Sequence, residues 1–82
     1  MDTTTKIDLT FEGIPNGHFI EIKGDAVAEP FLGARYRLFA PDLRVLQEAH
    51  VNAGDAFGTA KKILLECCKH LSLLYGKSIL PN

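Results

Sequence analysis

Between Asp55 and Gly76 the chain repeats apolar residues at spacings of three and four: Phe57, Ala60, Ile63, Leu64, Cys67, Leu71, Leu74 and Tyr75. The recurrence has the 3.6-residue period of an amphipathic helix. Asp55 stands where an N-cap carboxylate accepts from the first free N–H groups, and Gly76 where a left-handed residue closes a helix. A helix with one apolar stripe needs an apolar surface to lie on. The preceding sequence must supply that surface.

Strands are the candidates. Ile7, Leu9 and Phe11 alternate with Lys6, Asp8, Thr10 and Glu12, the period of two expected of a half-buried strand. Gly13-Ile14-Pro15-Asn16-Gly17 supplies turn residues, and His18 to Lys23 alternates again, with Ile20 and Ile22 opposed to Phe19, Glu21 and Lys23. A β-hairpin with a loop of about five residues is expected. Residues 24–30 read as a linker, with Pro30 unsuited to a central strand. Residues 31–39 hold a short third strand, Tyr36 and Leu38 facing away from Arg35, Arg37 and Phe39. Pro41 suits the first position of a helix and Asp42 its first turn, so the stripe Leu43, Leu46 and His50 predicts a first helix over residues 41–51, ended at Gly54. The expected fold is α+β: an N-terminal antiparallel hairpin with a third strand, then two C-terminal helices packed on the sheet. Its 82 residues make a single small domain, 1–34 forming the acidic hairpin and linker and 35–82 the third strand and helices.

Composition narrows the function. Charge is −1 and pI about 6.3, against the basic balance of a general nucleic-acid or anionic-membrane binder. The distribution is uneven: residues 1–34 carry −4 and residues 35–82 carry +3, so the two parts either pair, within or between molecules, or form two solvated faces. No apolar run is long enough to span a bilayer, and Met1-Asp2-Thr3-Thr4-Thr5 has no signal-peptide character. The two cysteines, Cys67 and Cys68, are adjacent, and a disulfide between helical neighbours is strained; Cys67 is expected as a core residue with Cys68 at its flank, in the reducing cytoplasm.

Chemistry-bearing groups do not converge. No Walker loop, G-x-S-x-G, H-E-x-x-H or G-x-G-x-x-G is present. His18, His50 and His70 share no helical metal spacing, and a site from His50, Cys67 and His70 would need tertiary contact. Neither catalytic residues nor a metal or cofactor is expected. What remains is surplus apolar surface at Phe31, Leu32, Phe39, Ile79, Leu80 and the edge of the long helix, which either completes the core or forms a protein–protein surface. Arg35, Arg37 and Arg44 with Tyr36 make a small basic-aromatic patch, the basis of a nucleic-acid alternative. The candidate interaction residues are therefore Phe31, Leu32, Arg35, Tyr36, Arg37, Phe39, Ile79 and Leu80.

Tyr36-Arg37-Leu38-Phe39-Ala40-Pro41-Asp42, then Leu43, Leu46 and Ala49, Gly54-Asp55-Ala56, and Ile63-Leu64-Leu65-Glu66-Cys67-Cys68 together resemble small bacteriophage tail assembly chaperones. The likeness covers about forty central residues; Gly58 and the basic stretch of residues 69–77 depart from it. It implies a non-enzymatic α+β protein of the host cytoplasm that binds phage tail components and self-associates, with no catalytic residues. An alternative is a small phage-type inhibitor or regulator that binds a host protein through the acidic hairpin.

Overall fold

The computed structural model describes residues 2–80. Four strands precede one helix: β1 (Thr3–Leu9), β2 (His18–Gly24), β3 (Ala34–Phe39), β4 (Val45–Val51) and α1 (Ala56–Tyr75). The sheet is an antiparallel meander in the order β1-β2-β3-β4. The α+β class and the strands β2 and β3 agree with the sequence reading. The hairpin loop is longer than expected, residues 10–17, and Phe11 lies in it, half-buried against the core.

The expected first helix is instead β4, so one helix, not two, covers the sheet. The reason lies in residues 40–44. Leu43 N–H donates to Ala40 O at 2.9 Å and Ala40 N–H to Arg44 O at 2.8 Å, closing a three-residue hairpin loop of Pro41, Asp42 and Leu43. Asp42 Oδ1 accepts from Arg44 N–H at 3.0 Å. Proline and aspartate occupy the central positions of a type I turn, whose dihedrals are those of a helical first turn, and the two structures therefore share their opening signals. Leu43 then adopts φ +70, which stops any helix and turns the chain back. A β-bulge follows, Phe39 pairing with Val45 while Leu38 pairs with Gln47.

Alternation sorts the strands into two faces. Leu9, Ile20, Ala34, Tyr36, Leu38 and Val51 are buried on the face that carries α1, which packs on β3 and β4. Asp55 Oδ1 accepts from Gly58 N–H at 2.6 Å, and Gly76 closes the helix at φ 65, both as the sequence indicated. The buried stripe differs from the expected one: Thr59, Ile63, Cys67, Cys68 and Leu71 are inside, whereas Phe57 and Leu74 are exposed. Cys68 is as buried as Cys67 rather than at its flank. Burying Ile63 and Leu71 contributes about 1.5–3 kcal/mol each.

Two polar devices fix the helix end. His18, 1% exposed, holds Pro15 O through Nδ1 at 2.9 Å and meets the Tyr75 hydroxyl through Nε2 at 3.0 Å. Ser72 Oγ accepts from Ile79 N–H at 2.9 Å and donates to Cys68 O at 2.8 Å, which draws Ile79 into the core. Leu80 stays exposed.

Candidate functional site

On α1, Thr59, Ile63, Cys67 and Leu71 form a buried ridge at i, i+4 spacing. A second ridge at the same spacing, Phe57, Lys61, Leu65, Lys69 and Leu73, runs two residues out of phase, about 200° around the helix. It therefore faces away from the sheet. Phe57 is 81% and Leu73 79% exposed, with Leu65 about half exposed. Apolar and cationic side chains alternate along it for about 24 Å, sixteen residues at the helical rise. Lys61 and Lys69 have no ion pair among the described residues. The ridge thus presents an exposed aromatic and leucines interleaved with ammonium groups that have no ion pair among the described residues.

The sheet face opposite the helix is uncovered and ordered in rows. One row across the four strands is Thr4, Lys23, Arg35 and His50; the next is Lys6, Glu21, Arg37 and Glu48; the third brings Asp8 beside Phe19 and Phe39. The middle row alternates in sign, and Arg37 Nε is ion-paired with Glu48 Oε2. Phe19 and Phe39 stack with centroids 4.7 Å apart, and Lys6 Nζ lies 4.3 Å over the Phe19 ring. In the first row Lys23 stands directly opposite Arg35, a like-charge pairing that disfavours the sheet.

A cleft of about 210 Å³ lies where β1 and β2 extend beyond the helix, walled by Thr5, Ile7, Ile22, Phe31, Ala56 and Ala60 among others. Asp25 is its one ionisable lining residue among those described. The thiols do not reach it. Burial first, then Cys68 and Glu66 nearby, pushes Cys67 up to about 12, and burial raises Cys68 as well, so both are free, protonated packing residues. No cluster of metal-ligating side chains occurs among the described residues. No helix among them is long and apolar enough to cross a membrane.

The structure disperses the residues singled out from sequence. Arg35, Arg37 and the half-buried Phe39 share the open sheet face, while Tyr36 is buried on the other face beneath α1. Arg44 sits after the β3–β4 turn, away from that patch. Phe31 lines the cleft, and Leu32 is exposed with its carbonyl 3.0 Å from His50 Nε2. Ile79 is core and Leu80 surface. On the hairpin's open face Asp8 and Glu21 are interleaved with Lys6 and Lys23. The outer ridge of α1 is legible in the sequence only as an apolar helix edge, because Phe57 falls in the expected core stripe and neither Leu65 nor Leu73 is singled out; its signal is the second i, i+4 series of apolar residues spaced by lysines. Comparison with family models, curated proteins and solved structures finds no match for this chain.

Proposed function

We propose that the protein is a non-enzymatic interaction protein of the adaptor or assembly-chaperone type, and that the outer ridge of α1 holds its partner. The observation that carries this reading is the exposed series Phe57, Lys61, Leu65, Lys69, Leu73. The same helix on a second copy is a poor occupant: a two-fold antiparallel pairing about Leu65 sets Lys61 against Lys69 of the other chain. A helical segment with acids four residues apart between apolar anchors satisfies both the ammonium groups and the exposed side chains. A phage tail component is the class of partner that the sequence resemblance suggests.

Panning a randomised helical peptide library on the immobilised full chain tests the reading. Enriched peptides should alternate Asp or Glu with Leu or Phe at i, i+4, and Phe57→Ala or Leu73→Ala should weaken them about tenfold or more, as for anchor residues elsewhere. Peptides that bind equally well to Leu65→Asp, or that lack acids, would overturn it.

A second reading has its own observation, the unrelieved pairing of Lys23 with Arg35 on the open sheet. Phosphates of a single-stranded nucleic acid would relieve it, and Phe19 and Phe39, two rows further along the same face, offer rings to its bases. Anisotropy of a labelled oligonucleotide at low salt should rise with wild-type protein and not with Lys23→Gln/Arg35→Gln; a flat response from wild type removes this reading.

A further inference from the structure

We infer that copies of this chain join head to tail, strand β4 of one copy adding to strand β1 of the next so that the sheet runs on from protomer to protomer. This inference goes beyond the partner proposed for α1 and uses a different surface.

β1 and β4 are the two edges of the sheet, and neither makes a backbone hydrogen bond outside the ladder among the described residues. Such edges are open templates for another strand unless proline, a bulge or a covering element blunts them. β1 has no proline, bulge or cover along Thr3–Leu9; its edge charges, Lys6 and Asp8, disfavour a strand of unmatched charge rather than every strand, and β4 is regular after its bulge, from Gln47 to Val51. Geometry permits the addition. With four antiparallel strands, β1 and β4 run in opposite directions, so β1 of a second copy meets β4 antiparallel with both helices on the same side. The contact is heterologous and propagates into a ring or a fibre.

Charge selects this joint. The middle row of the open face reads Lys6, Glu21, Arg37, Glu48, plus and minus in turn from one edge to the other. Continuing the same register sets Glu48 beside Lys6 of the next copy, and the alternation passes through the joint unbroken. Both groups have capacity for it. Glu48 engages Arg37 through Oε2, and its Oε1 has no partner among the described residues. Lys6 reaches Asp8 only at 3.9 Å and otherwise lies over the Phe19 ring, an exposed contact that leaves its ammonium donors open. On the other face, Gln47 Oε1 at the β4 edge is buried without a hydrogen-bond partner. The added strand places Ile7 opposite Gln47 and Thr5 diagonal to it, so a Gln47 side chain turned outward at the joint exchanges this unsatisfied site for the Thr5 hydroxyl.

The test uses mass by light scattering of the full chain across a wide concentration range, with Lys6→Glu and Glu48→Lys. Wild type should grow beyond a dimer as concentration rises. Each variant alone sets like charges at the joint, Glu against Glu or Lys against Lys, and its dissociation constant should rise about five- to thirtyfold. Mixed one to one, the variants present opposite charges at every joint and should recover assembly. That recovery also shows that both are folded. A wild-type monomer at all concentrations overturns the inference. So does a dimer indifferent to Glu48→Lys, which indicates β1 pairing with β1, and so does a mixture no larger than its components. Loss of peptide binding at α1 with assembly intact would strike the proposed function and leave this inference standing.

Discussion

Replacing Tyr75 by Phe removes one hydroxyl and leaves the ring, whose edge-to-face contact with His18 has a centroid distance of 5.7 Å. The hydroxyl is what His18 depends on. Pro15 O can only accept, so the His18 Nδ1 that lies 2.9 Å from it carries the hydrogen, and in the neutral ring Nε2 is the acceptor of the Tyr75 hydroxyl at 3.0 Å. His18 is 1% exposed, so in Tyr75→Phe water has little access to the abandoned nitrogen. Leaving a buried acceptor unpaired costs about 1–3 kcal/mol. For a domain of this size 2 kcal/mol lowers Tm by about 8–16 °C. Urea unfolding should show a lower midpoint at unchanged m. The double variant His18→Leu/Tyr75→Phe, which has no orphaned nitrogen, should recover most of the loss, because Pro15 is exposed and its carbonyl can turn to water. A Tyr75→Phe protein within about 0.5 kcal/mol of wild type would refute the reasoning, since variants without a lost interaction fall in that range.

Four further outcomes follow from the fold. Leu43 is exposed at φ +70, so Leu43→Gly relieves about 1–2 kcal/mol of left-handed strain against about 0.5–1 kcal/mol of glycine entropy, and the urea midpoint should rise. Gly33 has φ +84, and a Cβ there would meet Val51 O at 2.6 Å; Gly33→Ala should therefore lower stability by at least about 1–3 kcal/mol in the same assay. Arg35→Glu turns a like-charge pair with Lys23 into an opposite one and should add about 0.2–1 kcal/mol, less at high salt. Cys67, ordinarily at 9.0, and Tyr36, ordinarily at 10.0, are each pushed up to about 12, chiefly by burial. Both are acids that the folded state keeps protonated, so their stabilising contribution is full below those ordinary values. It drains as pH climbs toward about 12, at up to about 1.4 kcal/mol per pH unit for each proton. Cys67→Ala should flatten that alkaline loss in urea unfolding followed against pH.

The parts of this fold that were legible were those in which one local rule acts without competition. Alternation in β2 and β3 assigned Ile20, Ile22, Tyr36 and Leu38 to one face, and Asp55 and Gly76 marked the ends of α1. Residues 41–51 were misread because two rules coincide there. Pro41 and Asp42 suit a type I turn and a helix start equally, and Leu43, Leu46 and His50 happen to fall three and four apart. The fact that decides, Leu43 in left-handed backbone, has no sequence signature, since glycine or asparagine is the residue that usually announces it. β4 also hides its period: the bulge at Leu46 shifts the alternation, and an edge strand with polar Gln47, Glu48 and His50 offers little apolar contrast.

The surfaces proposed for interaction were hidden by a different degeneracy. Helix α1 is apolar on two opposed ridges, and nothing in Phe57 or Leu65 makes it less fit for a core than Thr59 or Cys67. Only the width of the sheet decides. A single helix centred on β3 and β4 buries one ridge and leaves the other outside, together with the cleft over β1 and β2. Had residues 41–51 been a second helix, that helix would have covered β1 and β2 and absorbed part of the surplus. Because they are a strand instead, the same residues widen the sheet without adding cover, and they place an unpaired edge directly beside the helix. The open cleft over β1 and β2, with Phe31 in its wall, and the turn at Leu43 are thus one structural fact. The residue that ends the would-be helix also creates the edge through which we infer that the sheet continues, and the assembly of Lys6→Glu with Glu48→Lys tests the consequence directly.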